Sequence, residues 1–298
     1  DSGGKLKPVK PDIKPPFKWT GGKNRMWEKY EPHFFPDKID TFVDMFCGAG
    51  SVSLWIRKNY PDAKIVLNDL NSELIGLYRT FQNDYKAFEK CYSDIVAKFV
   101  PMEHADRKKF YYDLREYYCH KHESLPEHKL NAMLYFMLRT NFNGMWKAYK
   151  KCNLRYSTPP GTLTQKPKFF DLQNTRDFRD FLNTCELRSS DFGELTEWRQ
   201  KGTYYYADPP YRDSIVEYQG GFNDDSQKRL VKFLQESSDA GCYIAESNKE
   251  IGDNFWETNF GEDYNFHFVA AKYTAGRGTS TLDVKEVLIT NFGDNDAS

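Results

Sequence analysis

The chain has 298 residues, 39% of them hydrophobic and 29% charged, which suits one large globular domain or a core carrying a substantial insertion. No apolar run approaches the roughly 18 residues of a membrane-spanning helix, and the polar, Lys- and Pro-rich N-terminus is unlike a secretory signal, so no membrane partner is expected. A net charge of −1 excludes a uniformly basic chain, so any nucleic-acid contact must be local. Six scattered cysteines (Cys47, Cys91, Cys119, Cys152, Cys185, Cys242) lack C-x-x-C or zinc spacing and read as the reduced thiols of a cytoplasmic protein. His120 and His122, two apart on a helical stretch, share no face and read as surface residues, so no metal is expected.

Taken in chain order, residues 1–15 read as a flexible or extended lead-in rich in proline, glycine and lysine. Phe42 to Phe46 is a short apolar run that meets Gly48-Ala49-Gly50 and then a helical stretch from Ser51. Lys64 to Asp69 reads as a second strand ending in a carboxylate. It follows the glycine turn by about 20 residues, as a β-α-β nucleotide-binding unit requires. Residues 72 to about 140 look helical, and Leu130, Met133, Leu134, Met137 and Leu138 mark one apolar face. Residues 141–170 lose that period. Strands return at Thr203 to Ala207, Cys242 to Ala245 and Val284 to Asn291, with a helix over Gln227 to Ser237. Strands and helices alternating around an insertion predict an α/β sheet with a second subdomain.

Three stretches carry chemistry. His128 to Phe170 contains no Asp or Glu, yet holds Lys129, Arg139, Lys147, Lys150, Lys151, Arg155, Lys166 and Lys168 interleaved with aromatics such as Trp146. That is the electrostatic footprint of a nucleic-acid contact, or of a solvated basic loop. In Asp44-Met45-Phe46-Cys47-Gly48-Ala49-Gly50 the glycines let a ligand approach the backbone, and Asp69 can accept ribose hydroxyls. No Gly-x-x-x-x-Gly-Lys-Ser/Thr is present, which argues against an ATPase. Asp208-Pro209-Pro210-Tyr211 ends a strand with one carboxylate, proline carbonyls that no ladder shares, and one aromatic face. Two acceptors and a ring suit an exocyclic amine on a base.

Lys18-Trp19-Thr20-Gly21-Gly22-Lys23, Asp44 to Gly50, Asn68-Asp69 and Asp208-Pro209-Pro210-Tyr211 occur in an order that resembles the Dam and DpnII-type (alpha-group, D12 class) adenine-N6 DNA methyltransferases. Leu138 to Gly144, Asp191-Phe192, Glu246-Ser247-Asn248 and Lys285 to Asn291 extend the resemblance over about residues 16–292. The resemblance implies a Rossmann-like sheet dependent on S-adenosylmethionine, formed by residues 16–80 and 185–298. Residues 81–184 would be an inserted, mainly helical target-recognition subdomain. Trp19, Lys23, Asp44, Phe46, Gly48, Gly50, Asp69, Asp191, Phe192 and Asp208 would bind the cofactor, with Asp208, Pro209, Pro210 and Tyr211 forming the catalytic segment. Double-stranded DNA would meet Lys18, Arg139, Asn141, Asn143, Gly144, Trp146, Lys147, Lys150, Lys151 and Arg155, and the enzyme would act as a monomer or weak dimer.

After Asn143-Gly144 the chain departs from the GATC-reading members. Lys147 stands near where they carry arginine, and lysine lacks the fork that reads guanine O6 and N7, so a target other than GATC is expected. On this reading Asp208 and the Pro209 carbonyl each accept one amine N–H of a flipped adenine, turning its lone pair toward the methyl donor, and Arg212 to Phe222 closes over the base. Cytosine-N4 transfer uses the same geometry and stays open as an alternative, as does an inactive DNA-binding relative. Cytosine-C5 transfer needs an activated cysteine, and Cys47 reads as packing instead.

Overall fold

A computed structural model describes residues 7–19, 27–148, 155–212, 221–274 and 281–293. The elements are α1 (Trp27–Phe34), β1 (Thr41–Asp44), α2 (Ser51–Asn59), β2 (Lys64–Asn68), α3 (Ser72–Asn83), α4 (Tyr85–Phe99), α5 (His104–His120), α6 (Glu127–Thr140), α7 (Gln173–Leu182), β3 (Cys185–Arg188), β4 (Thr203–Ala207), α8 (Asp224–Asp239), β5 (Tyr243–Glu250), α9 (Phe255–Phe260), β6 (Asn265–Thr274) and β7 (Thr281–Thr290). The seven strands form one sheet in the order β3-β2-β1-β4-β5-β7-β6. All neighbours pair in parallel except β7, which runs antiparallel to β5 and β6. The α/β sheet expected from the sequence is therefore present.

Strand alternation divides the apolar residues between two cores. Phe42, Tyr204 and Tyr206 face one side, under α1 to α7; Val43, Met45 and Tyr205 face the other, under α8 and α9. The phenols bring hydroxyls into these cores and each finds a partner: Tyr204 donates to the Phe34 carbonyl (2.9 Å) and Tyr205 to the Leu195 carbonyl (2.7 Å).

The long helical stretch breaks at Asp84, Pro101 and Pro126 into α3 to α6. Residues 130–138 of α6 are buried on every side, a wider burial than one apolar stripe predicts. Ala132, Tyr135 and Phe136 fill the faces between the periodic positions, and Asn131 donates to Thr80 Oγ1 (2.7 Å). One continuous apolar core joins these helices to the sheet, and α7, expected within the insertion, packs on α3 and β3. The lead-in from residue 7 runs extended. Asn59 exchanges two hydrogen bonds with Val9, and Asn174 two with Lys14, before Phe17 enters the core. Among the described residues no helix is long and apolar enough to cross a membrane.

Helix α5 stitches down the aperiodic stretch after residue 155. Arg107 donates to the carbonyls of Leu163 (2.8 Å), Gln165 (3.0 Å) and Val100 (2.8 Å), with its guanidinium 4.3 Å over Phe99. Arg115 reaches the Ser157 carbonyl (2.7 Å) and Tyr111 the Thr158 carbonyl (3.0 Å). A chain that lacks its own ladder must satisfy its carbonyls this way. Arg107→Met strands two of them and the Val100 carbonyl at the end of α4, so urea unfolding should show a loss of about 2–3 kcal/mol; an unchanged midpoint would mean that water serves them equally well.

Candidate active site

Parallel strands end at one edge of a sheet, and here that edge collects the acids. Asp44 closes β1, Asp69 follows β2, Asp191 lies just beyond β3, Asp208 follows β4, and Glu246 sits beside Ala207 on β5. The strand order reverses between β1 and β4, the place in open α/β sheets where ligands bind beyond the carboxyl ends.

The turn after β1 is tied to both neighbouring strands. Met45 N–H donates to the Tyr206 carbonyl (3.0 Å) and Cys47 N–H to that of Asn68 (2.8 Å). Gly48 N–H donates to Asp69 Oδ2 (3.1 Å), while the Gly48 carbonyl accepts from Tyr78 (2.5 Å). Gly48 has φ +49°, and a Cβ there would lie 2.6 Å from the Trp19 indole nitrogen, so only glycine fits under that ring. Gly50, at φ +80°, begins α2 without a side-chain cap. Asp44 is buried and accepts from Ser53 (2.6 Å). Burial, together with Asp208 and Asp69, outweighs that bond and pushes its carboxyl up to about 7. Burial also raises Asp69, although Asn71 N–H (3.0 Å) and Gly48 N–H hold its ionised form. Leu70, the next residue, is 61% exposed.

Asp191 and Phe192 are less open than expected. Arg229 forks the Asp191 carboxylate (2.7 and 2.8 Å), holding it below the usual range, and lies 4.0 Å over Phe192. Half-buried Phe46 meets the other side of Phe192 at 5.9 Å. Beyond β4, Pro209 is buried and Asp208, Pro210 and Tyr211 are half-buried. The expectation that no ladder shares the proline carbonyls needs one addition: Gln227 Nε2 donates to that of Pro210 (2.9 Å).

The nucleic-acid candidates divide into two groups. Arg139 is committed internally, donating to the Pro16 carbonyl (3.0 Å) and to Tyr92 (3.0 Å) and lying 4.3 Å over Phe169. Asn141 shapes its own turn, bonding Gly144 N–H, the Met145 carbonyl and Tyr156. Arg155 pairs with Glu73 (3.3 Å) and Glu123 (3.5 Å). Lys18, Asn143 and Lys147 are exposed on one construction: a Cβ on Gly144 (φ +67°) would lie 2.5 Å from the Lys18 carbonyl, and Asn143 itself has φ +55°. Trp146 stands between Trp19 (6.4 Å) and Tyr156 (5.4 Å), linking this turn to the glycine turn. Lys23, Lys150, Lys151 and residues 213–220 of the expected closing loop lie outside the described residues.

Sequence reading passed over Ser53, Tyr78, Leu70 and Phe142. For Leu70 the signal was an apolar residue directly after a strand-ending acid. Phe142, 47% exposed beside Asn143, was legible only as part of a motif. Among the described residues no three His, Cys, Asp or Glu side chains converge to hold a metal ion.

Comparison with known proteins agrees with this geometry. The family model for D12 class N6 adenine-specific DNA methyltransferases matches residues 19–274. The Type II methyltransferase M.MjaIII of Methanocaldococcus jannaschii is 28% identical, covering 94% of this chain and 100% of that protein. The Type II methyltransferase M1.LlaDCHI of Lactococcus lactis is 26% identical over 97% and 99%, and the DNA adenine methylase of Haemophilus influenzae 27% identical over 78% and 79%. With a family model spanning most of its length, the chain belongs to the D12 class of N6 adenine-specific DNA methyltransferases.

Proposed function

We propose that the methyl donor is S-adenosylmethionine, bound across the carboxyl ends of β1, β2 and β3, and that the adenine is turned out of duplex DNA to meet Asp208. The observation that carries this reading is electrostatic and positional. Asp44 ends β1, Asp208 follows β4 and Glu246 pairs with Ala207, so three carboxyl groups gather where the strand order reverses, near enough for Asp208 to add to the raised values of the other two.

The residues present suit such a donor. Gly48 lets the Trp19 ring lie against the turn after β1, Asp69 offers a carboxylate to ribose hydroxyls, and Leu70 presents apolar surface beside it. Asp191 and Phe192 border the adenine side, and Phe46 and Gly50 complete the wall. When bound, the donor supplies an electrophilic methyl on a cationic sulfur, a charge that the acids favour.

The protein's own part is orientation and proton handling. Asp208 and the Pro209 carbonyl accept the two N–H groups of the target amine, which turns its lone pair out of the ring plane; Tyr211 stacks on the base. As the nitrogen–methyl bond forms the methyl–sulfur bond would break, leaving the neutral thioether of S-adenosyl-L-homocysteine, and the amine nitrogen becomes acidic. Its surplus proton passes along the hydrogen bond to an Asp208 carboxylate oxygen and on to solvent, so no prior deprotonation is needed. On the DNA side, α4 to α6 and the stretch to residue 170 serve target recognition. Exposed Lys18, Asn143 and Lys147 contact the duplex, with Phe142 as an apolar wedge. Arg139, Asn141 and Arg155 act through the fold that carries them.

Incubation with tritiated donor and mixed-sequence duplex, then digestion to nucleosides, should place label in N6-methyladenine; label in N4-methylcytosine would overturn the substrate. Asp208→Ala should lower transfer by about 10²–10³-fold while cofactor still binds. Lys147→Ala should weaken DNA binding, with the salt slope reduced by about 1 and thermal stability unchanged. Arg139→Ala should do the reverse, and equal loss of stability in both would sink the division.

Protonation offers a separate check. Burial, with Asp208 nearby, pushes Glu246 up to about 8 and Asp44 up to about 7, so both hold protons near neutrality. A cationic ligand favours their ionised forms, so binding at pH 7 should release protons, seen as a dependence of calorimetric heat on buffer ionisation. The release should fade above about pH 9, where both groups are already ionised, and shrink in Asp44→Asn. Buffer-independent heat at pH 7 would refute the charge coupling.

A further inference from the structure

Behind the Asp208-Pro209-Pro210-Tyr211 segment lies a polar cluster inside an otherwise apolar core. Gln227 on α8 and Glu246 and Asn248 on β5 are all 0% exposed. The Oδ1 of Asn248 accepts two backbone N–H groups, from Arg212 (3.0 Å) and Lys249 (2.8 Å), which fixes the orientation of its amide. Its Nδ2 therefore donates, to Glu246 Oε2 (3.1 Å) and to Gln227 Oε1 (3.1 Å). With its oxygen so occupied, Gln227 must turn Nε2 outward, where it meets the Pro210 carbonyl (2.9 Å). Each member dictates the orientation of the next.

The two backbone groups held by this chain of amides, the Pro210 carbonyl and the Arg212 N–H, belong to the peptide units on either side of Tyr211. We infer that Gln227 and Asn248 are positioning residues that set the direction of Tyr211, and with it the base-binding face, by clamping both flanking peptides to α8 and β5. Arg212 seconds the clamp from its far side. Its guanidinium binds Asp224 (2.9 and 3.1 Å) and Asp253 (3.0 Å) and lies 3.7 Å over Phe255. Toward the N-terminus the segment is already fixed, because Ala207 pairs with Glu246 in the sheet. Gln227 and Asn248, each bonded through both its oxygen and its nitrogen on elements of the core, give the segment one geometry, and methyl transfer is sensitive to ångström displacements of the accepting groups.

The inference rests on the proposed role of the Asp208 to Tyr211 segment, and the test separates the two. Gln227→Met removes the donor to Pro210 at nearly constant volume. Gln227→Glu keeps the acceptor for Asn248 and donates to Pro210 only while protonated. With tritiated S-adenosylmethionine and unmethylated mixed-sequence duplex DNA, Gln227→Met should lose about 10–100-fold in kcat. Its KM for DNA and cofactor Kd should stay within about threefold of wild type. Gln227→Glu should approach wild type at low pH and fall away from it as pH rises. The clamp is refuted by a wild-type kcat in Gln227→Met, by an equal loss of cofactor affinity, or by a pH-independent deficit in Gln227→Glu. If Asp208→Ala stays fully active in the same assay, the reading of the segment fails instead, whatever the Gln227 variants do.

Discussion

A parallel sheet buried on both faces places charged groups at least cost where its strands stop, and the positions of Asp44, Asp69 and Asp208 follow from that constraint. Apolar runs such as Phe42-Val43 and Ile65-Val66-Leu67 are fully buried between two helical layers, where an ionised side chain would be costly. The acids therefore sit at the carboxyl edge, in turns that provide compensating donors: Ser53 for Asp44, and two backbone N–H groups for Asp69. The compensation is partial. Asp44 and Glu246 remain well above ordinary carboxyl values, because burial disfavours their charged forms more than their hydrogen bonds favour them.

The aromatic content does a different job on each side of the sheet. Tyr204, Tyr205 and Tyr206 alternate between cores, and their hydroxyls tie β4 to the end of α1, to the turn at Leu195 and to β5. Tyr206 meets Ser247 (3.0 Å), and Tyr30 donates to Glu286 (2.5 Å), so the neighbourhood of Asp208 is fixed from the sheet and from α1 together. Tyr78 reaches across from α3 to hold the Gly48 carbonyl, connecting the helical layer to the glycine turn.

Several cations of α5, α6 and the stretch from residue 155 serve the fold. Arg107, Arg115 and Arg139 satisfy carbonyls in segments that lack a ladder, and Arg155 closes an ion pair. Arginine suits this work because one guanidinium can serve several acceptors while lying on an aromatic ring, as Arg107 does on Phe99. Among the described residues Lys18 and Lys147 stay exposed beside the Asn143-Gly144 turn.

The strand-turn-helix around Gly48, the acid at Asp69 and the Asp208 segment were legible in sequence because each depends on local rules: glycine conformations, a fixed strand-to-acid spacing and proline's missing N–H. The basic stretch was equally legible as composition. Partnership was not, since it depends on residues far apart in the chain. Only tertiary structure brings Arg229 onto Asp191, Trp19 onto Gly48, and Gln227 and Asn248 behind Tyr211. β3 and the edge strand β6 escaped notice for a related reason. Short or half-exposed strands carry too little alternation to announce themselves, and only pairing with β2 and β7 makes them strands.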